Sequence, residues 1–356
     1  MPSTTLFDEH VKLGASFTDF GGWQMPVRYT SDLAEHQAVR ESVGVFDISH
    51  MAEFFVSGEQ AAAFLNFALV GRASEITNLR AKYSLLCNEA GGVIDDLIVY
   101  RESEHDFLII ANAGNRSAVA EALAKRAHGF SVSVADRSDE LSLIAVQGPK
   151  SIALLTDLVD IDLSTLPYYS IANGHLAGHP TDFCRTGYTG EDGFELLIPN
   201  ESAVEVFNLL ISKGATVCGL ACRDTLRIEA GMPLFGHELD EQTNPFEAGM
   251  QRVVRLDREE DFVGKASLQK LVTAKSLVGL VGEGKRAARA EYEIYAGEQL
   301  VGHITSGVLS PTLGYPIAMG YVSPEFSGEG TKLEVDVRGT RLPMKVVKLP
   351  FYKRGK

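Results

Sequence analysis

Tryptophan occurs once and cysteine four times in 356 residues, and bases are outnumbered by acids, 33 to 47. So few cysteines, at positions 87, 184, 218 and 222, exclude the disulfide framework that holds small secreted domains together. Cys87 and Cys184 stand among apolar neighbours, where cysteine serves as a small hydrophobe. Cys218 and Cys222 are four apart, but no second Cys or His pair is near enough to complete a zinc site. HELDE at 237–241 ends in Glu241 where a zinc-binding HExxH helix needs histidine, so no metal is expected. A formal net charge of -14 argues against a non-specific nucleic-acid binder, which needs a basic footprint, although a local basic pocket remains compatible with it. No apolar run reaches the roughly 18 residues of a membrane span. The opening stretch MPSTTLFDEHVKLG has neither the basic end nor the apolar core of a signal peptide. The chain is therefore expected to stay where it is made, which in a bacterium is the cytoplasm.

What is present is a globular composition, 45% hydrophobic and long enough for two or three domains. Two acidic strand entrances stand out, GGVIDDLIVYR at 91–101 and TGYTGEDGFELLIP at 186–199. Each sets a carboxylate, Asp96 or Glu195, directly before an apolar run. Carboxylates are poor strand residues, and burying one costs free energy unless it is paired, hydrogen-bonded or protonated. Solvated acids in hairpin turns would give the same spacing. Asp95 and Asp96 are neighbours on one strand and so point to opposite faces, which leaves only one of them for a site.

The order of elements repeats. From 52 to 135 the pattern reads strand, helix, strands, helix, strand, the split β-α-β order of a ferredoxin-like unit. Ser57 with Gln60 is placed to form a capping box for the helix running to Leu69. From 141 the order restarts, and Val56, Gly58, Ala63 and Leu65 match Val146, Gly148, Ala153 and Leu155. With a short insertion, Asp96 and Glu195 come close to register, so one site at the seam of a duplicated pair is expected. GLACRDTLRIEAG at 219–231 reads as a helix stopped by Gly231 and Pro233. It places Arg223 and Arg227 on one face, where an anion or an internal carboxylate such as Asp224 or Glu229 must offset them. From about Leu277 short strand runs alternate with glycine and proline turns, which predicts a C-terminal antiparallel barrel or sandwich.

With these strings in view, the chain resembles the aminomethyltransferase (T-protein) family of the glycine cleavage system over nearly its whole length. The resemblance rests on FGGWQMPVRY at 20–29, GVFDISHM at 44–51, NEAGGVIDDLIVY at 88–100, ANAGN at 111–115 and RTGYTGEDGFE at 185–195. It continues through ACRDTLRIEAGMPLFG at 221–236, TNPFEAG at 243–249 and ITSGVLSPTLG at 304–314. Cys222 stands where the family often has a residue like alanine. The resemblance implies an α+β fold: two interwoven ferredoxin-like lobes and a C-terminal β-barrel, arranged as a cloverleaf around a tetrahydrofolate site. It implies lobes of residues 1–50 with 138–230 and 51–137 with 231–275, and a barrel from 276 to 356. The implied reaction takes an aminomethyl group from the dihydrolipoyl arm of the lipoylated H-protein. It yields ammonia and 5,10-methylenetetrahydrofolate, with no metal, nicotinamide or flavin. A monomer that meets its carrier transiently is expected, because the carrier must leave after delivering its arm.

By the same resemblance, Asp96 is the catalytic aspartate and Glu195 the pterin-binding glutamate. A carboxylate can accept from the adjacent N–H and NH₂ of a pterin in a fork. Met51, Tyr83, Tyr100, Asn112 and Tyr188 fall in matching motifs and are expected to wall the pterin, although plain core packing suits the tyrosines as well. Arg223 is the implied partner of a folate carboxylate, and Arg227 shares that role or pairs internally. Tyr352 in the tail LPFYK is placed to close the pocket, and His50 is read as structural. Two rival readings use the same fold: another tetrahydrofolate-dependent one-carbon transferase or demethylase, and a non-catalytic folate-binding or iron–sulfur assembly protein. Intact Asp96, the long RTGYTGEDGFE and TNPFEAG strings and the lack of a fused flavin domain set them behind the first.

Overall fold

The computed structural model describes residues 1–355. The chain opens with α1 (Phe7–Lys12), the hairpin β1 (Ser16–Phe20) and β2 (Trp23–Arg28), α2 (Asp32–Glu41) and β3 (Gly44–Asp47). A first unit follows: β4 (Ala52–Ser57), α3 (Ala61–Ala68), β5 (Arg80–Cys87), β6 (Val93–Arg101), β7 (Asp106–Ala111), α4 (Arg116–Ala127) and β8 (Ser133–Asp136). The second unit repeats the order: β9 (Leu141–Gln147), α5 (Ser151–Leu155), β10 (Ile171–Leu176), β11 (His179–Cys184), β12 (Gly193–Pro199), α6 (Asn200–Ser212) and β13 (Thr216–Val217). Helices α7 (Leu220–Glu229) and α8 (Lys265–Leu268) precede a closed antiparallel barrel. Its strands are β14 (Ser276–Gly282), β15 (Glu293–Ala296), β16 (Gln299–Leu309), β17 (Pro316–Val322), β18 (Lys332–Asp336) and β19 (Arg341–Val347). The mixed fold with its closed barrel agrees with the expected class. No helix among the described residues is long and apolar enough to cross a membrane.

Strand order carries the repeat further than the residue matches do. The first sheet runs β5-β6-β7-β4-β8 and the second β10-β11-β12-β9-β3-β13. They are the same arrangement, with β3 from the N-terminal segment inserted beside β9. The register expectation fails, however. Phe55 faces Leu108 and Ala145 faces Glu195, so Leu108, not Asp96, occupies the place of Glu195. Asp96 lies on the third strand of its unit and Glu195 on the fourth of the other. The two acids look alike in sequence only because glycine turns precede both.

Side-chain alternation decides where each acid goes. On one face of the first sheet Phe54, Val56, Leu97, Val99, Phe107 and Ile109 pack under α3 and α4. On the second, Ile144, Val146, Phe194, Leu196 and Ile198 pack with α6. The opposite faces meet each other: Tyr100, Leu108 and Ile110 pack with Phe46, Leu143, Ala145, Cys184 and Leu197. Strands buried on both faces read as near-continuous apolar runs, as these do. Asp96 shares its face with Ile98 and Tyr100, and Glu195 shares its face with Leu197. Both carboxylates therefore enter the space between the sheets.

The capping box of Ser57 and Gln60 does not form. Helix α3 starts at Ala61 with no side-chain cap, and the Gln60 side chain instead accepts from the Ser131 N–H at 2.6 Å. It joins the helix start to a distant loop, which local spacing does not reveal. Helix α7 begins after Gly219 and ends where Gly231 takes a left-handed conformation, φ 64°, as expected. All four cysteines are free and buried.

One carboxylate ties the parts together. Glu229, at the end of α7, accepts from Arg40 Nη2 at 2.7 Å, from Thr312 N at 3.0 Å and from Thr312 Oγ1 at 2.7 Å. Ser310 Oγ donates to it as well, and His36 Nε2 lies 3.3 Å away. It thus joins α2, α7 and the turn after β16 of the barrel. Burial alone would raise its pKa; His36, Ser310 and Arg40 outweigh that and bring it down to about 2. A carboxylate depressed in the folded state adds stability above its unfolded pKa and loses it as pH falls through the folded one. Glu229→Gln is expected to destabilise the chain by about 3 kcal/mol at neutral pH. The deficit should shrink between pH about 4.5 and about 2, as denaturant midpoints across that range would register.

Candidate active site

A cavity of about 320 Å³ opens where the two sheets, α7 and the loop after it converge. Eight of the expected residues line it: Met51, Tyr83, Asp96, Asn112, Tyr188, Glu195, Arg223 and Arg227. Strand β6 delivers Asp96, whose Oδ2 accepts from Tyr83 OH at 3.0 Å and Oδ1 from Asn112 Nδ2 at 2.8 Å. Asp95 points to the other face, yet it meets the same amide: its Oδ1 accepts from Asn112 Nδ2 at 2.8 Å and from Asn115 Nδ2 at 2.6 Å. Its Oδ2 takes the Asn112 N–H at 2.9 Å. One asparagine thus bridges two adjacent carboxylates from the turn that starts α4. Burial pushes Asp96 above the usual carboxylate range. Burial, joined by the charge of Asp96, pushes Asp95 up to about 7.

Across the cavity, Glu195 accepts from Thr186 Oγ1 at 2.6 Å. Thr186 Oγ1 in turn lies 2.7 Å from Tyr100 OH. Burial raises the pKa of Glu195, while the Arg223 charge acts the other way. Two of the three glycines of RTGYTGEDGFE make room for Gln147: a Cβ on Gly187 would sit 2.0 Å from Gln147 Oε1, and one on Gly193 2.7 Å from its Nε2. Gln147 Nε2 donates to the Thr186 carbonyl at 3.1 Å, which fixes the loop that carries Thr186 and Tyr188. Tyr188 OH donates to the Pro233 carbonyl, so its ring stands as a fixed wall under the guanidinium of Arg223, 5.0 Å away.

The two arginines of α7 part ways. Arg227 Nη1 donates to Glu238 at 2.9 Å, Nε to Asp224 at 2.9 Å and Nη2 to Ser306 Oγ at 2.7 Å, so its charge is met inside the protein. Arg223 is half-buried, and its buried Nη1 has no partner among the described residues. His50 Nδ1 is likewise unpartnered on the same wall. Burial, with Arg223 acting in the same sense against Asp47, holds that imidazole neutral, its pKa down to about 4. Two orphaned polar atoms, one of them on a cation, mark a cavity shaped for a polar, partly anionic ligand.

Tyr100 and Tyr352 lie elsewhere. Tyr100 is fully buried behind the cavity, held there because its face of β6 packs into the inter-sheet core. It reaches the site only through Thr186. Tyr352 stands over Arg40, 4.1 Å from ring to guanidinium, with its N–H on the Glu229 carbonyl. The same tail does border the cavity, since Leu349 and Pro350 pack against Gly231 of its lining. Sequence reasoning missed Tyr169 and Met250. Tyr169 precedes β10 with φ 59°, outside any motif. Met250 directly follows TNPFEAG, and its sulfur lies 3.7 Å from Tyr83 OH; adjacency to that string was the available signal. Among the described residues no cluster of His, Cys, Asp and Glu is arranged to hold a metal.

Known proteins share this architecture. Family profiles match as the GCVT N-terminal domain over residues 6–258 and the glycine cleavage T-protein C-terminal barrel domain over 275–353. The aminomethyltransferase of Streptomyces coelicolor is 50% identical, with 99% of this chain and 98% of that protein covered. That of Thermus thermophilus is 46% identical, with 99% of each covered. The crystal structure of the glycine cleavage system aminomethyltransferase T from Bartonella henselae superposes with a TM-score of 0.93 at 35% identity, covering 99% of this chain and 98% of that one. The chain belongs to the aminomethyltransferase (T-protein) family of the glycine cleavage system.

Proposed function

We propose that this enzyme transfers the aminomethyl group of an S-aminomethyldihydrolipoyl arm, carried on the H-protein, to tetrahydrofolate, releasing ammonia and forming 5,10-methylenetetrahydrofolate. The observation that carries the reading is the convergence of two carboxylates from facing sheets, Glu195 buried and Asp96 half-buried, on one cavity beside an arginine whose Nη1 is unpartnered among the described residues. We assign the catalytic role to Asp96. Tyr83 and Asn112 fix both of its oxygens, and burial raises its proton affinity toward neutral pH, where a general base is most effective. While ionised it offers a negative charge to the iminium-like cation that forms as the C–S bond breaks and its electron pair stays on the lipoyl sulfur. It then accepts the proton of the folate N–H as that nitrogen bonds to the carbon.

Glu195 receives the pterin. Thr186 occupies one lone pair of its carboxylate, which leaves acceptors for the adjacent N–H and NH₂ donors of the ring. Arg223 takes a folate carboxylate, while Met51, Tyr83, Asn112 and Tyr188 frame the ring. Arg227 shapes the wall without binding, because its donors are spent. Tyr100 acts through Thr186 on the orientation of Glu195, and Tyr352 braces Arg40 outside the pocket. The rival demethylase reading has no observation in its favour. We also propose the lobe division 1–50 with 138–230, 51–137 with 231–275, and 276–356, which sheet membership supports.

The deciding assay supplies aminomethylated H-protein and tetrahydrofolate and follows ammonia and methylenetetrahydrofolate together; folate binding without either product would end this reading. Asp96→Asn should retain folate binding and lose turnover by roughly 10²–10⁴-fold. In the same variant the pKa of Asp95 should drop from about 7 toward the ordinary carboxylate range, because a neighbouring charge has gone. Carboxyl carbon NMR would follow that titration. Glu195→Ala should raise the folate dissociation constant about tenfold or more, as calorimetry would read; unchanged affinity removes Glu195 from the pterin site.

A further inference from the structure

A general base changes charge while it works: Asp96 is ionised before it takes the folate proton and neutral afterwards. The group beside it must keep its place through both states. Asn112 Nδ2 lies 2.8 Å from Asp96 Oδ1 and 3.1 Å from the Asp96 carbonyl oxygen. An ionised Asp96 can only accept from that amide, whereas a protonated one can donate and is better matched by an amide oxygen. The two ends of an asparagine side chain are alike in size, so Asp96 alone would favour one orientation of Asn112 before proton transfer and the reverse after it. Asp95 answers to neither state. It is fully buried on the other face of β6 and does not line the cavity, so a ligand there meets Asp96 and Asn112 without touching it. Its Oδ1 accepts from Asn112 Nδ2 at 2.8 Å and from Asn115 Nδ2 at 2.6 Å, and its Oδ2 accepts from the Asn112 N–H at 2.9 Å. Both ends of the turn that starts α4 are thereby pinned to one carboxylate.

We propose that Asp95 is a positioning residue of the transfer, an inference that rests on the function proposed above: it keeps the Asn112 amide turned with its hydrogens toward Asp96 through both charge states of that base. Turning the amide over would set its oxygen against Asp95 Oδ1 and leave that buried carboxylate short of a donor. The charge of Asp96 is one of the causes that raise the proton affinity of Asp95. When Asp96 takes a proton that charge is lost, and Asp95 becomes a firmer anion at the moment Asp96 ceases to hold the amide. The fixed orientation has a second effect. With Nδ2 engaged, Asn112 Oδ1 has no bond among the described residues, and Asn112 lines the cavity. A free acceptor therefore stands beside the base, where the reacting groups bear N–H donors.

Asp95→Asn keeps the size of the side chain and changes no residue of the cavity, but it sets an N–H₂ of its own among the donors of Asn112 and Asn115. With aminomethylated carrier and tetrahydrofolate, kcat should fall about tenfold or more, while the folate dissociation constant rises by no more than about threefold. A kcat within about twofold of the unaltered chain, or a loss of folate affinity as large as the loss of kcat, would overturn the assignment. A double-mutant cycle tests the route. In an Asn112→Ala background, adding Asp95→Asn should lower kcat by less than about twofold; the full tenfold loss on top of the first would show that Asp95 acts by another path. The unaltered chain answers the same question if a variant fails to fold. With tetrahydrofolate bound, the Asn112 side-chain amide should give one set of slowly exchanging proton resonances on both sides of the Asp96 titration. Fast exchange, or a second set as Asp96 is protonated, would refute a fixed amide. Failure of the unaltered chain to turn over loaded carrier at all would refute the proposed function instead, so the two failures are distinguishable.

Discussion

The dry space between two back-to-back sheets is the constraint on which this molecule depends. Each sheet spends one face on its own helices, and the remaining faces can be buried only against each other. A polar side chain that alternation sends into that space must find a partner there or await one from solution. Asp96 and Glu195 find partial partners. Arg223 Nη1 and His50 Nδ1 find none among the described residues. Two of these unmet atoms line one cavity, where a ligand from solution can reach them. Packing and reactivity are therefore two results of one arrangement: the low dielectric that penalises these groups also strengthens each interaction a ligand makes with them.

The barrel belongs to this arrangement, because α7 is anchored at both ends. Its first turn abuts β2: a Cβ on Gly219 would meet the Val27 carbonyl at 2.4 Å. Its last turn ends in Glu229, held by Arg40 of α2 and by Thr312. Between those anchors, Arg227 is tied to Ser306 of the barrel and to Glu238. Arg223 lies one turn away on the same face, with no such bond. Fixing one arginine gives the helix a definite rotation, and that rotation aims the other into the cavity. A buried ion pair contributes little net stability but strongly disfavours alternatives that would break it; here that is a means of orientation.

Much of this was legible from the chain. Period-two alternation separated Asp96 from Asp95, and glycine and proline marked the end of α7 and the turns of the barrel. The quoted motif strings hold seven of the eight expected lining residues, all but Tyr83. What failed was whatever depended on partners remote in sequence. The register that equated Asp96 with Glu195 assumed equivalent strands, whereas pairing order decides equivalence: β12 lies beside β9 as β7, not β6, lies beside β4. Gln60 bonded to Ser131 rather than to its own helix, since a loop 71 positions away satisfied it better. Tyr100 shares a face with Asp96, and alternation alone does not tell depth along that face; the neighbour across the gap does. Tyr169 carried no motif because its place follows from a backbone bond to Ala81.

The inequivalence of the two carboxylates has a chemical use. Two acids at true symmetry positions would meet matching surroundings and acquire matching proton affinities. These do not. Asp96 sits beside a second carboxylate, Asp95, and the two share neutral donors from Asn112, so like charges and burial together favour a retained proton. Burial raises Glu195 as well, opposed by its hydrogen bond from Thr186 and by the charge of Arg223. In the transfer proposed above, one acid exchanges a proton and the other holds the ring. A duplicated fold supplies two sheets, and by drawing on different strands of each it sets two acids in different company on one cavity.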